Sequence, residues 1–364
     1  MRVLHVAETL DGGVGRYLSA LTREQVAAGW DVAVAAPADG PWREALLAGG
    51  ATHHVWDARP QPGLSTAREL SRLRDVVAAV EPGLVHLHSS KAGLAGRLVV
   101  RRRIPTLLQP HSWSFYAVTG AVRRATLGWE RFAARWTDAV LCVSRAEAQV
   151  AQREHIRARC VVVANGVDLR AHPVASTTDR LTARAELGLV AEVPLVVCVG
   201  RLHRQKGQHR LLDAWPAVRV AVPGAELALV GSGPDDEALR ARRVDGVRFA
   251  GASTEVGRWF AAADVVAAPS RWEGMSLSLL EAMAAGRSVV VTDVPGMTEV
   301  VAPDVGAVVP LGDADALAGA LVRRLLDPAL AAAEGIAARA VVVRDHDLSD
   351  HLARVLALCA ELVR

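Results

Sequence analysis

The chain has 364 residues and a mass of 38.6 kDa, too long for one ordinary hydrophobic core and suited to two domains of roughly 170 residues. Half of it is hydrophobic (51%), but in short runs that never reach the roughly 18 residues of a membrane span. Four scattered cysteines lack the spacing of a zinc site or disulfide frame, so membrane-embedded and disulfide-stapled classes are excluded and a reducing cytoplasm is the expected setting.

The net charge of +3 is uneven: residues 1–172 carry 22 Lys plus Arg against 15 Asp plus Glu, and residues 173–364 carry 20 against 24. Arg101, Arg102, Arg103, Arg123, Arg124, Arg131 and Arg135 face only Glu130 in their stretch. Two readings stand for this face, a solvated arginine-rich surface and a peripheral contact with an anionic membrane. No nucleic-acid partner is expected. Lys91 and Lys206 are the two lysines among 42 basic residues, and a compact ammonium is not freely exchanged for a guanidinium at a phosphate or sugar oxygen.

Strand-like and helix-like segments alternate from the start, the signature of parallel sheets covered by helices. Met1–Glu8 reads as a strand interrupted by His5 and Glu8 rather than as a signal peptide. Asp11-Gly12-Gly13-Val14-Gly15 then turns into a helix, its glycines admitting a phosphate or a second substrate. The dinucleotide fingerprint is incomplete, because Leu18 holds the place of its last glycine. Further strands are expected at 31–35, about 53–56, 83–87, 105–109, 138–143 and 160–163. Lys91 follows the fourth strand at its carboxyl end, where open parallel sheets bind ligands. His111-Ser112-Trp113-Ser114-Phe115-Tyr116 follows the fifth, and its rings either stack on a sugar or pack beneath the next helix. Ser144 and Glu147 have capping-box spacing. Asn165-Gly166-Val167-Asp168 reads as a closing turn and His172–Thr178 as an interdomain linker.

The alternation restarts at 195–199. Arg201 and Lys206 bracket the next loop, and with the helix opening at Gly207 they form a candidate diphosphate clamp. Strand 226–230 leads to Gly231-Ser232-Gly233, and strand 247–251, with Phe249, ends in amides suited to a nucleobase edge. Residues 264–269 form a buried strand running into Ser270–Gly286, around which the chain is organised. N–H groups of Met275, Ser276 and Leu277 at the helix start suit a phosphate oxygen. Glu281 lies roughly 7 Å further along, placed for a ribose diol, and Glu273 projects from the turn after Ser270. Strands at 288–292 and 307–309 and helices at 313–326 and 328–343 follow, with Asp313 and Asp315 read as capping charge rather than metal ligands. A last amphipathic segment from Asp347 is expected to pack across a domain boundary.

In combination, Gly12-Gly13, Ser89–Gly93, His111, Asn165–Asp168, Gly200–Leu202 with Lys206-Gly207, Gly231–Gly233 and the pair Glu273 and Glu281 resemble retaining glycosyltransferases of family 4. The resemblance covers essentially the whole chain. It implies an α/β GT-B fold, with an acceptor-binding Rossmann-like domain at 1–172, a donor-binding one at 173–345 and a C-terminal helix at 346–364, the two sheets facing a central cleft. By resemblance, Arg201 and Lys206 neutralise the departing diphosphate of a nucleotide-sugar donor and Glu281 holds its ribose. Glu273, with amides after Gly274, holds sugar hydroxyls, and His111 reaches the sugar from the first domain. Gly13, Gly231, Phe249, Met275, Ser276 and Leu277 complete the donor site; Gly12, Gly13, Lys91, Trp113 and Tyr116 belong to the acceptor side. The implied reaction is metal-independent and cofactor-free. A sugar moves with retention to a sugar, lipid-linked or small-molecule acceptor, in cell-surface glycan, glycolipid or secondary-metabolite synthesis. The alternatives are a non-transferring sugar-nucleotide epimerase and a degenerate sugar-nucleotide-binding module.

Overall fold

The structure, a computed structural model, describes residues 1–59 and 63–364. It divides into two compact units, Met1–Ala164 with Asp350–Arg364, and Asn165–Ser349. The division falls a few residues before the expected linker. Asn165–Val167 is tied into the second unit: Val167 bridges to Asp347, its N–H donates to His346 O at 2.9 Å, and His346 Nδ1 meets Asn165 O at 2.9 Å. The chain returns to the first unit at Asp350, within the helix Leu348–Leu362.

The first unit carries β1 (Arg2–Ala7), β2 (Asp31–Ala36), β3 (Thr52–Val55), β4 (Leu84–His88), β5 (Thr106–Gln109), β6 (Ala139–Cys142) and β7 (Cys160–Val162), in the order β3-β2-β1-β4-β5-β6-β7. The second carries β8 (Leu195–Val199), β9 (Glu226–Val230), β10 (Val247–Gly251), β11 (Val265–Ala268), β12 (Ser288–Thr292) and β13 (Gly306–Val309), in the order β10-β9-β8-β11-β12-β13. Every pairing described is parallel. Helices cover both faces of such a sheet, which is why β4 and β12 are buried at every residue; β12 centres on the apolar run Val289-Val290-Val291, whereas β4 also buries His86 and His88. Both orders reverse after the third strand inward, so each unit has a switch point, between β1 and β4 and between β8 and β11, where ligands bind open α/β sheets.

Leu4, Val6, Val85, Leu87 and Trp56 centre the first core, and Val196, Leu211, Trp215, Leu227 and Leu229 the second. Burying each such side chain contributes about 1.5–3 kcal/mol. Two corrections concern polar groups. Ser144 Oγ does accept from Glu147 N–H at 3.0 Å, but the Glu147 carboxylate accepts from Val143 N–H at 2.8 Å, so the reciprocal half of the box falls one residue early. Burial, opposed by the N–H groups of Val143 and Ser112, pushes this carboxyl up to about 7. Glu130 does not offset the basic face: it is buried against Arg97 at 2.8 Å, while Arg123 meets Glu154 at 2.6 Å. Asp313 caps the helix Ala314–Leu326 by accepting from Ala316 N–H at 2.8 Å.

Candidate active site

In the second unit the loops leaving β8 and β11 meet at the switch point. The β8 loop ends in a short 3-10 turn, Arg204–Lys206, followed by left-handed Gly207. A Cβ at Gly207 would lie 1.9 Å from Pro269 O, so only glycine lets the two loops approach this closely. The contact is sewn along its length: Arg271 N–H donates to Gln205 O at 2.7 Å and Gln205 Nε2 to Trp272 O at 3.1 Å. Lys206 Nζ thereby reaches Glu273 Oε1 at 2.5 Å, and Ser270 Oγ donates to the same oxygen at 2.9 Å. Glu273 is nearly buried while Lys206 keeps 23% of its side chain exposed, so the ammonium stays open to a further anion.

The β9 loop is drawn in by the same means. A Cβ at Gly231 would stand 2.1 Å from Gly200 O, and Leu202 N–H donates to Ser232 O at 2.9 Å. The Arg201 side chain is exposed, its carbonyl accepting from Gln208 Nε2 at 3.0 Å. His203 is held below its ordinary range by burial and then by Arg201 and Lys206, and Arg271 is lowered by burial and then by Arg204 and Arg210. The loops therefore present a positive rim.

After β11, Gly274 and Met275 lead to Ser276, which caps the helix Leu277–Ala284 by accepting from Leu279 N–H at 3.4 Å. The preceding first-turn N–H groups, Leu277 included, have no acceptor within the helix itself. Glu281 lies on this helix, buried to 3% exposure, with Oε1 4.0 Å from His172 Nε2. Asn165 Nδ2 donates to Met275 O at 3.0 Å, bracing the turn. Asn165 and His172 thus stand at the site although the sequence placed them in a closing turn and a linker. Their signal is tertiary: nothing local distinguishes His172 from a linker residue. Phe249 is partly buried under the Arg240 guanidinium, 4.6 Å from the ring centre, and the end of its strand is tied by Gly231 N–H to Gly251 O at 2.7 Å.

The first unit places its predicted residues less uniformly. Gly12 and Gly13 open the helix Gly12–Ala27, Gly12 with φ +54°. His111 and Ser112 are both left-handed, at φ +57° and +133°, a conformation that costs a non-glycine residue about 1–3 kcal/mol and clusters at functional sites. Lys91 differs from expectation. It is 2% exposed, its ammonium 2.6 Å from Glu69 Oε2 and donating to Thr66 Oγ1 at 3.2 Å, so its charge is spent inside the unit. Trp113 is a core residue, 2% exposed with Nε1 donating to Glu147 O at 3.0 Å, whereas Tyr116 is 38% exposed. Packing wins for the first ring and not for the second.

Residues 11–171 match the family described as Glycosyltransferase Family 4, and residues 193–327 match Glycosyl transferases group 1. The chain is 30% identical over 293 residues to the lipopolysaccharide core biosynthesis mannosyltransferase LpsB of Rhizobium meliloti, covering 75% of this chain and 79% of that protein. It is 36% identical over 190 residues to a GDP-mannose-dependent monoacylated alpha-(1-6)-phosphatidylinositol monomannoside mannosyltransferase of Corynebacterium glutamicum, covering 49% of this chain and about half (50%) of that relative's length. Sucrose-phosphate synthase of Thermosynechococcus elongatus superposes with a TM-score of 0.84 at 24% identity, over 100% of this chain and 99% of that one. Anabaena Alr3699/HepE, solved with UDP and glucose, gives 0.85 at 23% identity over 99% and 100%. These two structures speak for the fold, GT-B with two Rossmann-like domains. Family match and relatives together carry the conclusion that the chain belongs to glycosyltransferase family 4.

Proposed function

We infer that the protein transfers a hexosyl group, mannose from GDP-mannose in the first instance, to a hydroxyl of a glycolipid or lipopolysaccharide-type acceptor, with retention of anomeric configuration. The observation that carries the reading is the Lys206–Glu273 pair, held at 2.5 Å by two loops at the switch point. The donor and acceptor classes are those named for the relatives from Rhizobium and Corynebacterium.

The roles follow from charge. Breaking the anomeric bond builds positive character on the sugar and negative charge on the departing diphosphate. Exposed Arg201 and half-buried Lys206, with the N–H groups at the start of Leu277–Ala284, are fixed donors for that charge, and donors preorganised in this way usually lower the barrier more than any other catalytic effect. Glu273, paired with the ammonium, accepts from sugar hydroxyls. Glu281, held against His172, accepts from the ribose. His111 is assigned to a hydroxyl of the transferred sugar, and Gly12, Gly13 and Tyr116 to the acceptor. No side chain is required as a covalent nucleophile in this reading. The leaving phosphate takes the acceptor proton on the front face, and the cations carry the charge without a metal; turnover unchanged by EDTA is the expected check.

Thermal-shift titration with GDP-mannose, UDP-glucose, ADP-glucose and a dTDP-sugar identifies the donor, since a ligand bound only by the folded state raises the midpoint. Lys206→Ala and Glu281→Ala are each expected to lower kcat/KM for the donor at least about tenfold, or about 1.4 kcal/mol. Wild-type turnover in both variants overturns the assignment.

A further inference from the structure

A polar line runs through the interior of the first unit. In the registers of β1, β4 and β5, His5 lies opposite His86, and His88 opposite Gln109. Directly paired residues share a sheet face, so these groups gather beneath the helix Gly12–Ala27, which adds Gln25. His5, His86, His88, Gln25 and Gln109 are all 0% exposed. Two of these imidazoles and that of His111 form a continuous hydrogen-bonded chain: His5 Nε2 to Gln25 Oε1 at 2.7 Å, His5 Nδ1 to His88 Nε2 at 3.0 Å, and His88 Nδ1 to His111 Nε2 at 3.3 Å.

A neutral imidazole has one N–H and one bare nitrogen, so a chain of them has a single polarity, set at whichever end is fixed. Gln25 Oε1 can only accept, which places the His5 proton on Nε2. His5 Nδ1 then accepts from His88 Nε2–H, and His88 Nδ1 accepts from His111 Nε2–H. The Nδ1 of His111 is left as the bare nitrogen. Burial keeps the three rings neutral, lowering His5 to about 4 and His111 to about 3, and His88 well below its ordinary value. An extra proton on the central ring would set two donors against each other.

We propose that Gln25 and His5 act through His88 as positioning residues that lock the tautomer of His111, so that it offers Nδ1 as a hydrogen-bond acceptor to a ligand hydroxyl. The ligand part rests on the assignment of His111 to the transferred sugar; the tautomer part does not. The left-handed backbone at His111 fits the same role, because it brings the ring to the end of the buried chain at a conformational cost. The Gln25 amide is the control point. Its Nε2 is buried with no hydrogen-bond partner, and turning the amide over would make Gln25 a donor and reverse every tautomer along the line.

Nitrogen NMR of histidine-labelled full-length protein, assigned by single substitutions, reads the tautomers directly. Wild type is expected to show His111 as the Nε2–H form, and Gln25→Met to convert it to a mixture. Gln25→Glu, which as a carboxylate can only accept, is expected to restore the single form at a pH where that carboxylate is ionised. With GDP-mannose as probe, Gln25→Met is expected to lower kcat/KM about fivefold, the scale of one hydrogen bond, and Gln25→Glu to recover part of it. A wild-type His111 protonated on Nδ1, or a His111 signal that ignores Gln25→Met, overturns the proposal. So does a stoichiometric metal ion in the purified protein displacing the shared proton, since ring nitrogens of His5, His86 and His88 lie within 4.8 Å of one another. Should Gln25→Met fail to fold, the wild-type tautomer alone decides. Tautomers as stated with no transfer to any acceptor would refute the transferase reading and leave the locked chain standing.

Discussion

Lys91 offers the sharpest test of how sequence and structure divide the functional residues. Its Nζ lies 2.6 Å from Glu69 Oε2, with 0% and 4% of the two side chains exposed. Glu69 also accepts from Ser65 Oγ at 2.8 Å and from Arg59 N–H at 3.2 Å. Burial alone would raise the Glu69 carboxyl, but Lys91, Ser65 and Arg59 N–H together hold it below its ordinary 4.5. Lys91→Met removes the cation and strands a buried carboxylate, for which the expected cost is about 3–5 kcal/mol. The double variant Lys91→Met/Glu69→Leu removes both charges and is expected to lie within about 1.5 kcal/mol of wild type, so adding the second substitution should recover at least about 1.5 kcal/mol of what the first one costs. With two units, whole-chain unfolding is not safely two-state, so the readout is hydrogen exchange at amides of β4 and the helix Thr66–Val80. Because the folded carboxyl is depressed, wild type should hold this stabilisation above pH 4.5 and lose it as pH falls below, while the double variant should not. A single variant costing under about 1 kcal/mol, or a double variant as damaged as the single, would refute the reasoning. A stable double variant that no longer glycosylates its acceptor would return Lys91 to the acceptor site.

Other outcomes follow from the same geometry. His5, His86, His88 and His111 are all lowered in the folded state, first by burial, so their contribution is complete above pH 6.5 and lost as pH falls. The shift of His5 to about 4 corresponds to about 3 kcal/mol. Glu147, raised to about 7 chiefly by burial, acts with the opposite sign, its contribution complete below pH 4.5 and lost as pH rises through 7. Urea midpoints of the first unit should be lower at about pH 4.5 than at about pH 7.5, and a flat profile would mean the histidines are not neutral and buried. Gly207→Ala puts a Cβ against Pro269 O at φ +71°; it should abolish nucleotide protection in thermal shift while hydrogen exchange in β1 and β4 stays as in wild type. On the basic face, Val122 and Phe132 are 59% and 43% exposed on the helix Gly120–Ala133 beside Arg123, Arg124 and Arg131. We expect flotation with vesicles containing anionic lipid and not with neutral ones, weakened by Phe132→Ser; equal flotation on both would point to apolar insertion alone. Among the described residues no helix is long and apolar enough to cross a membrane, so any such contact through this helix lies at the surface.

Much of this architecture is legible in the chain because parallel strands buried on both faces must be continuous apolar runs bounded by turns. Val85, Leu87, Val196, Val197 and Val289 to Val291 declare themselves without partners. The loops leaving β8, β9 and β11 are legible for a related reason: tight backbone approach at Gly207 and Gly231 leaves glycine as its trace. A charged residue's counter-charge leaves no such trace, since nothing in spacing tells that Lys91 turns inward to Glu69, 22 positions away, while Lys206 meets Glu273, 67 positions away. The same limit hides His172 beside Glu281 and the line from Gln25 to His111, because strand register and helix packing set those distances. Periodicity and turn chemistry are local and determine which segments form and where ligands gather; pairing is a property of the folded contacts, and it alone decides which charges stay available to a substrate.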